Sequence, residues 1–91
     1  MITVLIQESE GARREWAHRA RTDNAEQAIA RAVVKHFGKS WCFIPDDLDA
    51  AALAYDAVHS KPQVIGAVWR PYWEKGIIWR LRTKEVVVSV S

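Results

Sequence analysis

Apolar and polar positions alternate from the start of the chain. Ile2, Val4 and Ile6 interleave with Thr3, Leu5 and Gln7, the two-residue period of a strand with at least one buried face. Ser9-Glu10-Gly11 supplies turn chemistry. Trp16, His18 and Ala20 then alternate with Ala17, Arg19 and Arg21, which predicts a second strand pairing back as a hairpin with Arg19 and Arg21 on its outward face. Beyond it the period changes. Ala25, Ala28, Ile29, Ala32, Val33 and His36 or Phe37 fall on one stripe of a helix, while Glu26, Gln27, Arg31 and Lys35 fall on its polar side. Asp23 followed by Glu26 reads as a capping box at the positive end of this helix. Lys35 suits the negative end, and Gly38 is placed for a left-handed cap.

Ser40 to Ile44 is a short aromatic-rich run closed by Pro45, a third strand. Pro45-Asp46-Asp47 opens a second helix over about Asp47 to Val58, with Leu48, Ala51, Ala52, Tyr55 and Val58 at helical spacing, and Ser60-Lys61-Pro62 ends it. Within it Leu53, Tyr55 and Ala57 also alternate. Val64 to Arg70 and Ile77 to Arg82 read as strands with Pro71 to Gly76 turning between them. Thr83-Lys84-Glu85 is a tight turn or a bulge, and Val86, Val87 and Val88 carry β-favouring residues toward the end. The order is β-β-α-β-α-β-β, with a separate last strand if residues 83–85 turn. It predicts an α+β fold: a largely antiparallel sheet of four to six strands with two helices packed on one face.

Composition narrows the class. Ninety-one residues, 49% hydrophobic and 26% charged, fit one domain over residues 1–91, too apolar for disorder. No repeat or linker divides it. No apolar run approaches the ~20 residues that cross a bilayer, and Met1 to Gln7 has neither the length nor the basic flank of a signal peptide. Cys42 is the sole cysteine, so no intrachain disulfide forms and thiolates are too few for structural zinc. A reducing, cytoplasmic setting is expected. Net charge is +2, but Arg70, Lys75, Arg80, Arg82 and Lys84 crowd the C-terminal third while Asp46, Asp47, Asp49 and Asp56 occupy the middle.

The candidate chemistry is that of recognition. From Trp69 to Arg82 the chain carries Trp69, Arg70, Tyr72, Trp73, Lys75, Trp79, Arg80 and Arg82. Trp, Tyr and Arg dominate interface energetics because they join large rigid area to hydrogen-bonding handles, and they also stack on bases and contact phosphates. Strand parity sets Ile77, Trp79 and Leu81 on one face, read as core. It sets Ile78, Arg80 and Arg82 on the other, read as solvent-facing. Tyr72 and Trp73 fall in the predicted turn. Asp46, Asp47 and Asp49 lack the glycine turn and distal Glu of a calcium loop and are explained by capping. His18, His36 and His59 share no element at ligand spacing. Cys42, inside a hydrophobic run, reads as an inert thiol. With no nucleophile elbow, phosphate loop, dinucleotide fingerprint or paired-cysteine motif, the sequence points away from an enzyme and implies no cofactor and no metal.

His18-Arg19-Ala20-Arg21, the capped Ala-rich helix to Gly38, and Phe43-Ile44-Pro45 together resemble the small phage-encoded anti-CRISPR proteins in layout, over less than half of the chain. The resemblance implies a non-enzymatic inhibitor that docks on a CRISPR surveillance complex, although the acidic surface of the DNA-mimicking members is absent here. Three readings stand. The first is a small module binding a protein or nucleoprotein through Tyr72, Trp73, Lys75, Arg80 and Arg82, joined by Arg19 and Arg21 if the two hairpins lie side by side. The second is a nucleic-acid-binding domain using the same aromatic and basic face. The third is a homodimer formed through an exposed edge at Val86 to Val90. None of them involves a membrane.

Overall fold

The computed structural model describes the backbone of residues 1–8, 15–74 and 77–91, and the side chains of these except 15, 59, 71–74 and 77–83. In chain order the elements are β1 (Ile2–Glu8), β2 (Glu15–Ala20), α1 (Ala25–Phe37), β3 (Cys42–Pro45), α2 (Leu48–Asp56), a 3-10 turn at Val58–Ser60, β4 (Gln63–Glu74) and β5 (Ile77–Val90). The five strands form one sheet in the order β2-β1-β5-β4-β3, every neighbouring pair antiparallel. The fold is α+β, with the predicted order of elements.

The two-residue period decides which face is buried. Ile2, Val4 and Ile6 on β1, Val64 and Val68 on β4, and Val86, Val88 and Val90 on β5 are all buried. All of these but Val64 form one cluster with Ala25, Ala28, Ile29, Ala32 and Val33 of α1. This is the stripe that the helical spacing selects. α2 meets α1 and β4, and its buried Ala51 lines a cleft with Val64, on the side that α1 covers. The other face of the sheet is left to Leu5, Ile65 and their neighbours, of which Leu5 and Ile65 are exposed.

The helix ends differ from the capping expected. Asn24, not Asp23, caps α1: its side chain accepts from the Gln27 N–H at 2.9 Å, and Thr22 Oγ1 accepts from Asn24 N–H and donates to the Gln27 side chain. Asp23 instead reaches the N-terminal ammonium at 3.5 Å. Either residue type can supply the oxygen, and Thr22 selects between them by tying down Asn24. Gly38 has φ 125° and ψ 168°. This is an extended glycine conformation and not the left-handed cap, although its N–H still bonds the Val34 carbonyl. At α2 the acidic run acts as a cap, Asp47 Oδ1 accepting from the N–H groups of Asp49 and Ala50 at 3.0 Å each. α2 stops at Asp56 and its stripe is weaker than the spacing suggested. Ala51 alone is buried, and Leu48 and Leu53 are 71% and 73% exposed, because a nine-residue helix on the rim of a small sheet has little to lie against.

The C-terminal half departs most from expectation. The segment read as a turn from Pro71 is strand as far as Glu74: the ladder continues through Tyr72↔Trp79 and Trp73↔Ile78 to Glu74↔Ile77. Tyr72 and Trp73 therefore lie in β4. Residues 83–85 are no turn. β5 runs unbroken from Ile77 to Val90, and the register steps from Val68↔Lys84 to Trp69↔Arg82, leaving Thr83 as one extra residue, a bulge. Val86 to Val90 is no edge either. It pairs with β1 on one side and β4 on the other, which removes the surface on which the homodimer reading stood. Pro45 lies within β3, tolerated because β3 is the outermost strand.

Candidate partner-binding surfaces

Among the described residues, β1 leaves β5 at Glu8↔Val86 and β3 leaves β4 at Cys42↔Trp69. Beyond those pairs β4 and β5 continue together to Glu74↔Ile77. Among the described residues the result is a two-stranded ribbon that runs past these last pairs. β5 alone, 14 residues at about 3.3 Å each, matches the 44 Å long dimension of the molecule, against 28 and 24 Å across. The sequence-selected residues Tyr72, Trp73, Arg80 and Arg82 all belong to this ribbon, with Arg80 registered against Pro71 and Arg82 against Trp69. Arg70 is exposed and Trp69 half-buried at its base. Lys75 lies outside the described residues, as does the exposure of Ile77, Trp79 and Leu81 expected to be core.

Arg19 and Arg21 are elsewhere. The two hairpins do lie side by side, β1 against β5, but Arg19 pairs with Thr3 and Thr3 is level with Ser91 through reciprocal backbone hydrogen bonds. From Arg82 to Ser91 along an extended strand is about 30 Å. The candidate residues thus divide into two groups at opposite ends of the sheet. Arg21 falls just beyond β2, not within it, and both arginines are exposed. With Arg31 and Lys35 of α1, His18, Ala20 and Ala32 they line a cleft of about 230 Å³.

Sequence spacing missed an aromatic cluster that joins β2 to α1. The Trp16 and His36 rings are 4.1 Å apart between centroids, His18 and His36 5.4 Å, and His36 and Phe37 4.7 Å, with Trp41 reaching Phe37 at 6.0 Å. The signal was present in two separate periods: Trp16 and His18 fall on the inward positions of β2, and His36 on the α1 stripe. What no local pattern supplies is that the two elements cross there. His18 Nε2 is buried without a hydrogen-bond partner among the described residues. Burial first, then the neighbouring charges of His36 and Lys35, hold His18 below the ordinary histidine value. Burial also holds His36 low, opposed by Glu8 and reinforced by Lys84. Glu8 and Lys84 form an ion pair at 2.9 Å that ties β1 to β5 at the base of the ribbon.

Both imidazoles are therefore kept neutral by the fold, and the sign of the pH effect follows. A depressed histidine pKa adds stability that is complete above the unfolded value, about 6.5, and is lost as pH falls through the lower folded value. Thermal midpoints are expected to hold level from pH 8 to 7 and to fall between pH 6.5 and 5, before most carboxylates titrate. His18→Gln combined with His36→Gln should flatten that fall. A level wild-type profile across this window would refute the assignment.

A second, apolar groove of about 490 Å³ opens between α1, α2 and β3, with Ile29, Val34, Trp41, Phe43, Leu48 and Tyr55 in its lining. Burial, with the Glu26 charge, raises the Tyr55 phenol. Cys42 is exposed, contrary to the expectation drawn from its apolar neighbours: on an outermost strand of four residues, alternate positions face away from the core. Among the described residues no three His, Cys, Asp or Glu side chains converge as a metal site, and no helix is long and apolar enough to cross a membrane. Compared with family models, curated proteins and solved structures, the chain matches none of them.

Proposed function

We propose that the chain is a binding module, without catalysis of its own, that engages a protein or nucleoprotein through the β4–β5 ribbon. The observation that carries this reading is the length of the ribbon: among the described residues, β4 and β5 stay paired for several residues past the last pairs with β1 and β3. A two-stranded ribbon contributes little to a core by itself, and its length suits it to contact with another molecule. Its composition favours that use. Tyr72, Trp73, Trp79, Arg80 and Arg82 are the residue types from which interface hot spots are made. The register pairs Trp69, Pro71 and Trp73 of β4 with Arg82, Arg80 and Ile78 of β5 along the backbone, so these residue types share one two-stranded segment. The resemblance of the N-terminal half to anti-CRISPR proteins supports an inhibitor that docks on a CRISPR surveillance complex.

Arg80→Glu together with Arg82→Glu is expected to abolish recovery of the partner by the tagged protein from a lysate of the cells that make it. The thermal midpoint should move little if the two arginines serve the partner and not the fold. Unchanged recovery would remove the ribbon from the site.

Direct binding of nucleic acid is the second reading, favoured by the ribbon itself, because the major groove of DNA admits a two-stranded ribbon and Arg70, Lys75, Arg80 and Arg82 supply phosphate contacts. It predicts a steep fall of affinity with salt through counterion release. Fluorescence titration with short single- and double-stranded oligonucleotides at two salt concentrations separates the readings, and no binding at low salt removes this one.

A further inference from the structure

We propose that the cleft between β2 and α1, at the end of the sheet opposite the ribbon, is a second binding site that takes an acidic peptide segment in extended form as an added strand on β2. This goes beyond the ribbon reading and does not depend on it.

Two independent features of the fold meet there. β2 is the outermost strand of the described sheet, paired with β1 alone, so half of its backbone N–H and C=O groups face outward, the template on which an extended peptide adds by main-chain hydrogen bonds. The second feature is charge. Arg19 and Arg21 come from the strand side, and Arg31 and Lys35 from one turn spacing on α1, and all four are exposed. Among the described residues no carboxylate lines the cleft and no salt bridge neutralises any of the four. Their positive field reaches inward as well, since Lys35 is one of the charges that disfavour a proton on His18. Cations on both walls and an open edge between them favour a ligand with an extended backbone and carboxylates on both of its faces, so that side chains reach Arg19 and Arg21 on one side and Arg31 and Lys35 on the other. A solvated surface helix needs no such match, and an unstructured polyanion would not use the strand edge.

The probe is a fluorescent peptide of about ten residues repeating Glu-Glu-Thr-Thr, β-favouring and with carboxylates on both faces when extended. Two comparison ligands go with it: the same peptide N-methylated at alternate backbone amides, and a single-stranded oligonucleotide of equal charge. The acidic peptide should bind the full chain at low salt and raise amide exchange protection within residues 15–20. Arg31→Glu with Lys35→Glu should weaken it at least about tenfold while circular dichroism stays native, both residues being exposed. N-methylation should weaken it comparably, and Arg80→Glu with Arg82→Glu should leave it unchanged. Equal binding of the N-methylated peptide, or equal binding of the oligonucleotide in competition with the peptide, would make the cleft a general anion surface and overturn strand addition. No binding of the peptide at low salt would overturn the site.

Discussion

Gly66→Ala is expected to cost about 1–3 kcal/mol, the range for forcing extra volume into a packed site, and to release β3 from the sheet. A Cβ built at Gly66 would stand 2.5 Å from the Ile44 carbonyl oxygen and 2.7 Å from two ring carbons of Phe43. The ring can turn aside, but the carbonyl belongs to the backbone of the neighbouring strand and moves only if β3 moves. β3 has four residues and pairs with β4 alone in the sheet, so the packing of Phe43 against the core is its other anchor. The loss should appear as a lower urea midpoint and as faster amide exchange at Phe43 and Ile44, with β1 and β5 protected as before. An alanine variant with wild-type stability and unchanged exchange at β3 would contradict the close approach.

Ile29→Ala is expected to cost more, about 2–5 kcal/mol. Ile29 is 1% exposed and belongs to the cluster that α1 forms with β1, β4 and β5. Truncation removes three carbons from a place where the sheet cannot collapse inward. Against a total of about 5–14 kcal/mol for a chain of this length, that is a large share, and the variant should unfold at a much lower urea concentration with an unchanged slope. Ile29→Val, about 0.5–1.5 kcal/mol, calibrates the position. A loss under about 1 kcal/mol for the alanine variant would show that Ile29 does not anchor the core.

Most of the body was legible because its elements obey simple periods. β1 alternates, α1 carries a stripe of five buried residues, and both follow from which side each side chain takes. The failures share a cause: they depend on what neighbouring strands do. Nothing local to Pro71-Tyr72-Trp73-Glu74 announces a strand, because a Pro and a cluster of aromatics read as a turn until the pairing with Ile77 to Arg80 is known. The valine run at 86–88 reads as an exposed edge until β1 and β4 are found on either side. Asn24 displaced Asp23 as a cap through the Thr22 hydroxyl, a choice between adjacent oxygens that spacing does not rank. For the candidate surfaces, the chemistry of the residues was legible and their grouping was not. Arg19 and Arg21 were associated with Arg80 and Arg82 by type, and the strand register separates them.

The unmatched Thr83 has a consequence for how the two long strands keep step. From Gln63↔Ser89 to Val68↔Lys84 the partners advance one for one, and from Trp69↔Arg82 to Glu74↔Ile77 they do so again, displaced by a single position. Gain or loss of one amino acid at that joint would therefore re-index every pairing of the far segment while the valine ladder of the trunk stayed as it is, so the alignment of the arm is encoded in a count as much as in a composition.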